Sequence, residues 1–169
     1  MRVRLVEGDI TAQRVDAIVN AANTAMRGGG GVDGAIHRVG GPAILADCVR
    51  RFPDGLPTGR AGWTTAGDLP ARWVIHVVGP NWNAGQRDPD LLASCYRNAL
   101  RVAGELGAQS MAFPAVSTGV YGWPIDDAAR IAVATVSATP ADLDVVFVLF
   151  GAVTYAAFDE ALAIVETDS

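Results

Sequence analysis

The sequence predicts an α/β fold in which a largely parallel sheet carries helices on both faces. Three observations lead there. Short apolar runs rich in β-branched residues alternate with helical stretches. The strand runs are apolar almost throughout, as strands buried on both faces require, instead of at every second residue. Glycine-rich segments follow two of the strands, where open sheets of this kind place their ligands.

In chain order, the expected strands are residues 3–6, 15–20, 73–78, 110–113 and 145–150. The expected helices are residues 34–52, 90–106, 125–138 and 154–166. Within the first helix the apolar positions are Ile36, Val39, Leu45, Cys48, Val49 and Phe52, read as one buried stripe. Residues 53–62 read as a surface loop, and no internal repeat is visible. At 169 residues, half of them hydrophobic and 18% charged, the chain is expected to form one domain over residues 1–169.

The formal charge of -5 provides no basic surface for phosphate neutralisation, so nucleic-acid partners are not expected. All 13 basic residues are arginine, which reads as the mark of a high-GC bacterial genome. Cys48 and Cys95 stand apart from each other and from any paired histidine, so the spacing shows neither a zinc site nor a disulfide framework. No apolar run is long enough to span a bilayer, and the first residues lack the pattern of a secretory leader. A cytoplasmic monomer is the expectation.

Two loops carry the chemistry. The first passes from Asn20, Ala21, Ala22 and Asn23 into Gly28, Gly29, Gly30 and Gly31, then Val32, Asp33 and the start of a helix. Consecutive glycines let backbone amides approach a ligand, and a helix N-terminus favours an anion without any lysine. The loop lacks the Lys-Ser/Thr of a Walker motif and the spacing of a dinucleotide fingerprint, and a plain flexible loop is the alternative. The second, Ser117-Thr118-Gly119-Val120-Tyr121-Gly122, also joins a strand to a helix. Its amides and hydroxyls suit a pyrophosphate, each charge-assisted bond contributing about 1.5–3 kcal/mol.

Five segments in order carry a resemblance: Gly8-Asp9-Ile10-Thr11, VDAIVNAAN at residues 15–23, GGGGVDGAIH at 28–37, VIHVVGP at 74–80 and FPAVSTGVYG at 113–122. Together they resemble the macrodomain family, in particular its MacroD-like branch of de-ADP-ribosylating hydrolases. The resemblance implies a three-layer α/β/α macrodomain with a mostly parallel mixed sheet. It implies ADP-ribose, its acyl or protein-linked derivatives, and ADP-ribosylated proteins as partners; no metal-ligand set is evident in the sequence, so hydrolysis without cofactor or metal is expected.

Residue by residue, the resemblance puts the adenine amino group on Asp9, the Ile10 amide against the ring and Phe150 on its face. Capping of a turn is the alternative for Asp9, and core packing for Phe150. Asn23 falls where the family bonds the distal ribose, and Asn20 where it has a supporting asparagine. The segments Gly30-Gly31-Val32 and Ser117-Thr118-Gly119-Val120 would hold the pyrophosphate, with Tyr121 over the ribose. Asp33 matches the acidic residue tied to hydrolysis, so Asp33 and Asn23 are the catalytic candidates; helix capping is the alternative for Asp33.

His37, four residues on, shares a helix face with Asp33 and reads as an orienting group, whereas His76 reads as a satisfied core residue. Trp123 stands where relatives more often carry Phe or Tyr and is expected to alter the ribose wall. The activity implied is hydrolysis of O-acetyl-ADP-ribose and of mono-ADP-ribose ester-linked to acidic side chains. A non-catalytic reader of ADP-ribosylated proteins and an ADP-ribose-1″-phosphate phosphatase are the alternatives; Asp33 favours an enzyme.

Overall fold

The computed structural model describes residues 1–168. Its sheet has six strands, β1 (Val3–Glu7), β2 (Ala17–Ala22), β3 (Ala61–Thr65), β4 (Trp73–Val78), β5 (Ser110–Phe113) and β6 (Asp144–Leu149), in the order β1-β6-β5-β2-β4-β3. All neighbours run parallel except β3, which is antiparallel to β4. The helices are α1 (Gly31–Gly40), α2 (Pro42–Arg51), α3 (Pro89–Leu106), α4 (Ile125–Ala138) and α5 (Ala152–Asp168).

Alternate residues of each strand feed two cores, as the two-residue period of a pleated strand dictates. Val19, Ile75, Val77, Phe113 and Phe147 pack with α3, α4 and α5. Ile18, Ala22, Val74 and Val78 pack on the opposite face with Ile36 of α1 and Ile44 and Cys48 of α2. The expected mostly parallel mixed sheet between helical layers is therefore what forms.

Three expectations need correction. The first helix is two, because Gly41 takes φ 82° and Pro42 supplies no amide to continue the helix. The break shifts the helical phase, so Ile44 is buried while Val39, Leu45 and Val49 are exposed. The surface loop expected over residues 53–62 ends earlier, because Ala61 and Gly62 already belong to β3, a strand not expected from the sequence that gains its identity from pairing with β4. Strand β2 begins at Ala17 instead of Val15, because Asp16 is engaged in turns: its carbonyl accepts from the amides of Arg72 and Trp73 and its Oδ2 from the Gln109 amide.

The chain leaves β2 through α1 and α2 toward β3 and β4, and leaves β5 through α4 toward β6 on the other side. The two directions part between β2 and β5. A crevice beyond the carboxyl ends of the strands at such a reversal is the ordinary ligand position of an open α/β sheet.

Candidate functional site

A cleft of about 730 Å³ opens there, lined by the ends of β1, β2, β4, β5 and β6 and by both glycine-bearing loops. Its size suits a small-molecule ligand. Of the sequence-predicted residues, Asp9, Ile10, Asn23, Gly30, Gly31, Val32, Asp33, Ser117, Thr118, Gly119, Val120, Tyr121 and Phe150 all line it. Asn20 does not; it is fully buried behind Asp33. Sequence reasoning did not select Gly8, Gly79, Pro114, Ala115 or Thr154, which also line the cleft. For Gly8, Gly79, Pro114 and Ala115 the position just after a strand was the available signal, whereas Thr154 lies in the first turn of α5.

Helix α1 starts inside the cleft. Gly30 is its N-cap and has no side chain to occupy the helix end, so the leading amides of Gly31 and Val32 face outward with the positive end of the dipole. On the far wall, the amides of Gly119, Val120 and Tyr121 form no hydrogen bond among the described residues. That loop is held in place from behind: Asn83 donates from its amide to the Tyr121 carbonyl and from Nδ2 to the Val120 carbonyl, and the Trp123 amide donates to the Ser117 carbonyl. Ser117 sits at φ 68°, in the left-handed region that non-glycine residues seldom adopt, and its buried Oγ has no partner among the described residues. The cleft lining contains no Lys or Arg, so the groups there that can face an anion are backbone amides.

Asp33 lies in the first turn of α1 and is 5% exposed. Helix capping is not its task. Its Oδ1 accepts from Asn20 Nδ2 at 2.8 Å and lies 3.3 Å from His37 Nε2, the contact expected from their four-residue spacing. Its Oδ2 looks the other way. The point above Gly29 where any other residue would carry a Cβ is 3.1 Å from Asp33 Oδ2 and 3.3 Å from Asn23 Nδ2. Asn23 itself is braced, with Nδ2 donating to the Gly28 carbonyl and Oδ1 accepting from the Met26 amide. A carboxylate oxygen and an amide nitrogen thus converge on one small open space beside a helix N-terminus.

Asp9 does cap a turn: its Oδ1 accepts from the amide and hydroxyl of Thr11, opening the short helix Ile10–Ala12, while the residue stays exposed in the cleft. Phe150 lies one residue past β6 and is 91% exposed, so core packing does not explain its aromatic ring. Trp123 is placed differently from expectation. It is buried beneath the second loop, edge-on to Trp82 with ring centroids 5.0 Å apart, and its Nε1 donates to Asp127; it does not line the cleft. A large ring needs a polar partner for its one N–H, and Asp127 on α4 supplies it away from the ligand.

His76 is fully buried, and burial first, then the charge of His37, pushes its pKa down to about 3. Burial also raises the Cys48 and Cys95 thiols to about 11 and about 12, leaving neither as a thiolate nucleophile. Among the described residues no cluster of three His, Cys, Asp or Glu could hold a metal, and no helix is long and apolar enough to cross a membrane. A shallower depression over α2 and β3 contains Asp47, Arg50 and Arg51, but these charges already pair with one another.

Fold and cleft together define an α/β domain with a ligand-sized cleft walled by glycine loops and a helix N-terminus. Residues 19–132 match the model of the Macro domain family, and the chain belongs to that family. It is 64% identical over 161 residues to a macro domain-containing protein of Streptomyces coelicolor, covering 92% of this chain and 95% of the relative. It is 55% identical over 139 residues to an Escherichia coli protein named O-acetyl-ADP-ribose deacetylase, covering 80% and 78% respectively. Among solved structures, the Oceanobacillus iheyensis macrodomain with ADP superposes with a TM-score of 0.91 at 42% identity, over 98% of this chain and 92% of that one. The Trypanosoma brucei macrodomain in complex with ADP-ribose does so at 0.86 and 40%, over 95% and 69%.

Proposed function

We propose that the protein binds ADP-ribose in this cleft and hydrolyses the ester that joins its distal ribose to an acetyl group or to an acidic protein side chain. The observation that carries the reading is the convergence of Asp33 Oδ2 and Asn23 Nδ2 on the space over Gly29. Similarity to a protein named O-acetyl-ADP-ribose deacetylase and to macrodomains solved with ADP and ADP-ribose supports it.

In this reading adenine lies between Asp9, Ile10 and Phe150. The pyrophosphate spans the α1 N-terminus and the amides of residues 119–121, with the Ser117 hydroxyl turned to the same ligand. Asn23 holds the distal ribose, and Asp33 Oδ2 orients the water that attacks the ester. Water adds, the ester bond breaks, and the products are ADP-ribose and the free carboxylic acid. Binding energy from the remote adenine and pyrophosphate holds the ester against the water, which is where an enzyme lacking a strong nucleophile gains most.

The test is Asp33→Asn beside Asp33→Ala. Asparagine can still accept from Asn20 but cannot serve as a carboxylate base. Both variants should stay folded and bind ADP-ribose, while single-turnover hydrolysis of O-acetyl-ADP-ribose falls by about 10²- to 10⁴-fold. Parent-like turnover in both would remove Asp33 from the mechanism. A parent that binds ADP-ribose yet hydrolyses no acetylated, phosphorylated or protein-linked form would be a reader.

A further inference from the structure

We propose that His76 and Thr64 are positioning residues for Asp33, acting through Asn20 to decide which carboxylate oxygen faces the cleft. The inference rests on the reading of Asp33 as the group that handles the attacking water.

Asn20 on β2 and His76 on β4 are register partners in the sheet. Asn20 Nδ2 lies 2.8 Å from Asp33 Oδ1 and 3.1 Å from His76 Nδ1. An ionised carboxylate only accepts, so the amide must turn its nitrogen to Asp33, and the second amide hydrogen goes to His76. His76 Nδ1 therefore carries no proton. The buried imidazole is neutral, so its single proton sits on Nε2, 2.8 Å from Thr64 Oγ1. Thr64 accepts it and donates its own proton to the Thr65 carbonyl, 3.0 Å away. The protonated Cys48 thiol, 3.9 Å from the same Nε2, makes no competing demand for that proton.

Every proton from the Thr65 carbonyl to the Asp33 carboxylate is thus assigned by its neighbour. One acceptor is sacrificed: Asn20 Oδ1 is buried without a partner among the described residues. Turning the amide over would place that oxygen against Asp33 Oδ1 and the bare Nδ1 of His76, so the arrangement holds despite the unmet carbonyl. With Oδ1 anchored to Asn20 and His37, Oδ2 is the oxygen left to face the space over Gly29.

Removing the Thr64 hydroxyl releases this order. A His76 proton that moves to Nδ1 confronts the Asn20 amide hydrogens; the amide then turns, and its oxygen repels Asp33 Oδ1. The carboxylate rotates without any cleft-lining residue having changed. The rate should suffer and the affinity for ADP-ribose should not, because Thr64, His76 and Asn20 all lie outside the cleft lining.

The experiment uses the full chain as parent, Thr64→Val and Thr64→Ser, with ¹⁵N spectra of the histidine rings, ADP-ribose calorimetry and single-turnover hydrolysis of O-acetyl-ADP-ribose. The expected parent spectrum shows His76 as the neutral Nε2–H tautomer from pH 8 to 5. Thr64→Val should mix the tautomers and slow hydrolysis by about 10- to 100-fold, the scale of a slightly misplaced reacting group, with unchanged affinity; Thr64→Ser should restore both spectrum and rate. An Nδ1–H tautomer in the parent overturns the proposal, as does a Thr64→Val protein that hydrolyses at the parent rate while Asp33→Asn is slow. A parent with no turnover on any ADP-ribose derivative refutes the reading of the site instead. The positioning role is then decided by whether Thr64→Val moves both the His76 ring and the Asn20 side-chain amide signals, which supports it, or leaves the Asn20 amide in place, which overturns it.

Discussion

The buried histidine makes the stability of this protein depend on pH above the range in which Asp47 and Asp127 titrate. His76 binds a proton with a pKa near 6.5 when unfolded and about 3 when folded. Between those values the unfolded chain holds the extra proton, so stability is fully present above 6.5 and is lost as the pH falls. Integrating one site from pH 8 to pH 5 gives a loss of about 2 kcal/mol, a figure set by the unfolded value for any folded pKa below about 4. The perturbation is His76→Gln, which removes the titrating site while keeping a side chain able to accept from Asn20.

That variant will be less stable outright, so the informative quantity is the gap between the two proteins. Urea unfolding of both at pH 8, 7, 6 and 5 should show the gap shrinking by about 2 kcal/mol across the series. Asp47 and Asp127 do not confuse the comparison. Burial pushes both carboxylates up, but Asp47 is outweighed by the Thr65 amide, Arg50 and Arg51, and Asp127 by Trp123 and Arg130, so both end below 3.8 and titrate alike in parent and variant. A gap constant with pH would refute the neutral, desolvated His76 and with it the proton order drawn through Asn20.

Two further substitutions test the cleft walls. Phe150→Ala removes a ring that is 91% exposed, so stability should change by less than about 0.5 kcal/mol. ADP-ribose affinity by calorimetry should nevertheless fall about 5- to 150-fold, the equivalent of roughly 1–3 kcal/mol for a base–aromatic stack; unchanged affinity would take Phe150 off the adenine. Gly34→Ala should raise helix stability by about 1 kcal/mol on propensity alone, but its Cβ would stand 2.6 Å from the Gly29 carbonyl oxygen. The glycine loop must then move, and ADP-ribose should bind at least about tenfold more weakly. A higher melting temperature with parental affinity would show that the loop position is not critical.

The amino-acid order alone determined the α/β class, the parallel strands and the two loops that meet in the cleft. It could do so because β2, β4, β5 and β6 are buried enough to be apolar along most of their length, and because glycine runs and an asparagine-to-glycine transition are local features. Tertiary structure decided the rest. Strand β3 exists because β4 offers an open edge, so Ala61–Thr65, with weak apolar alternation and a glycine, became a strand only by pairing. The break at Gly41 was visible as Gly-Gly-Pro, yet which side chains it turned inward depended on the sheet beneath. The same holds for function. Asp33 and Asn23 can be picked out by motif, but the nine residues between them say nothing of two polar atoms converging over Gly29. Thr64, His76 and Asn20 come from three separated stretches of chain, and only packing three strands side by side lets one hydroxyl determine the proton on a histidine, and the histidine the face of an amide, behind the carboxylate.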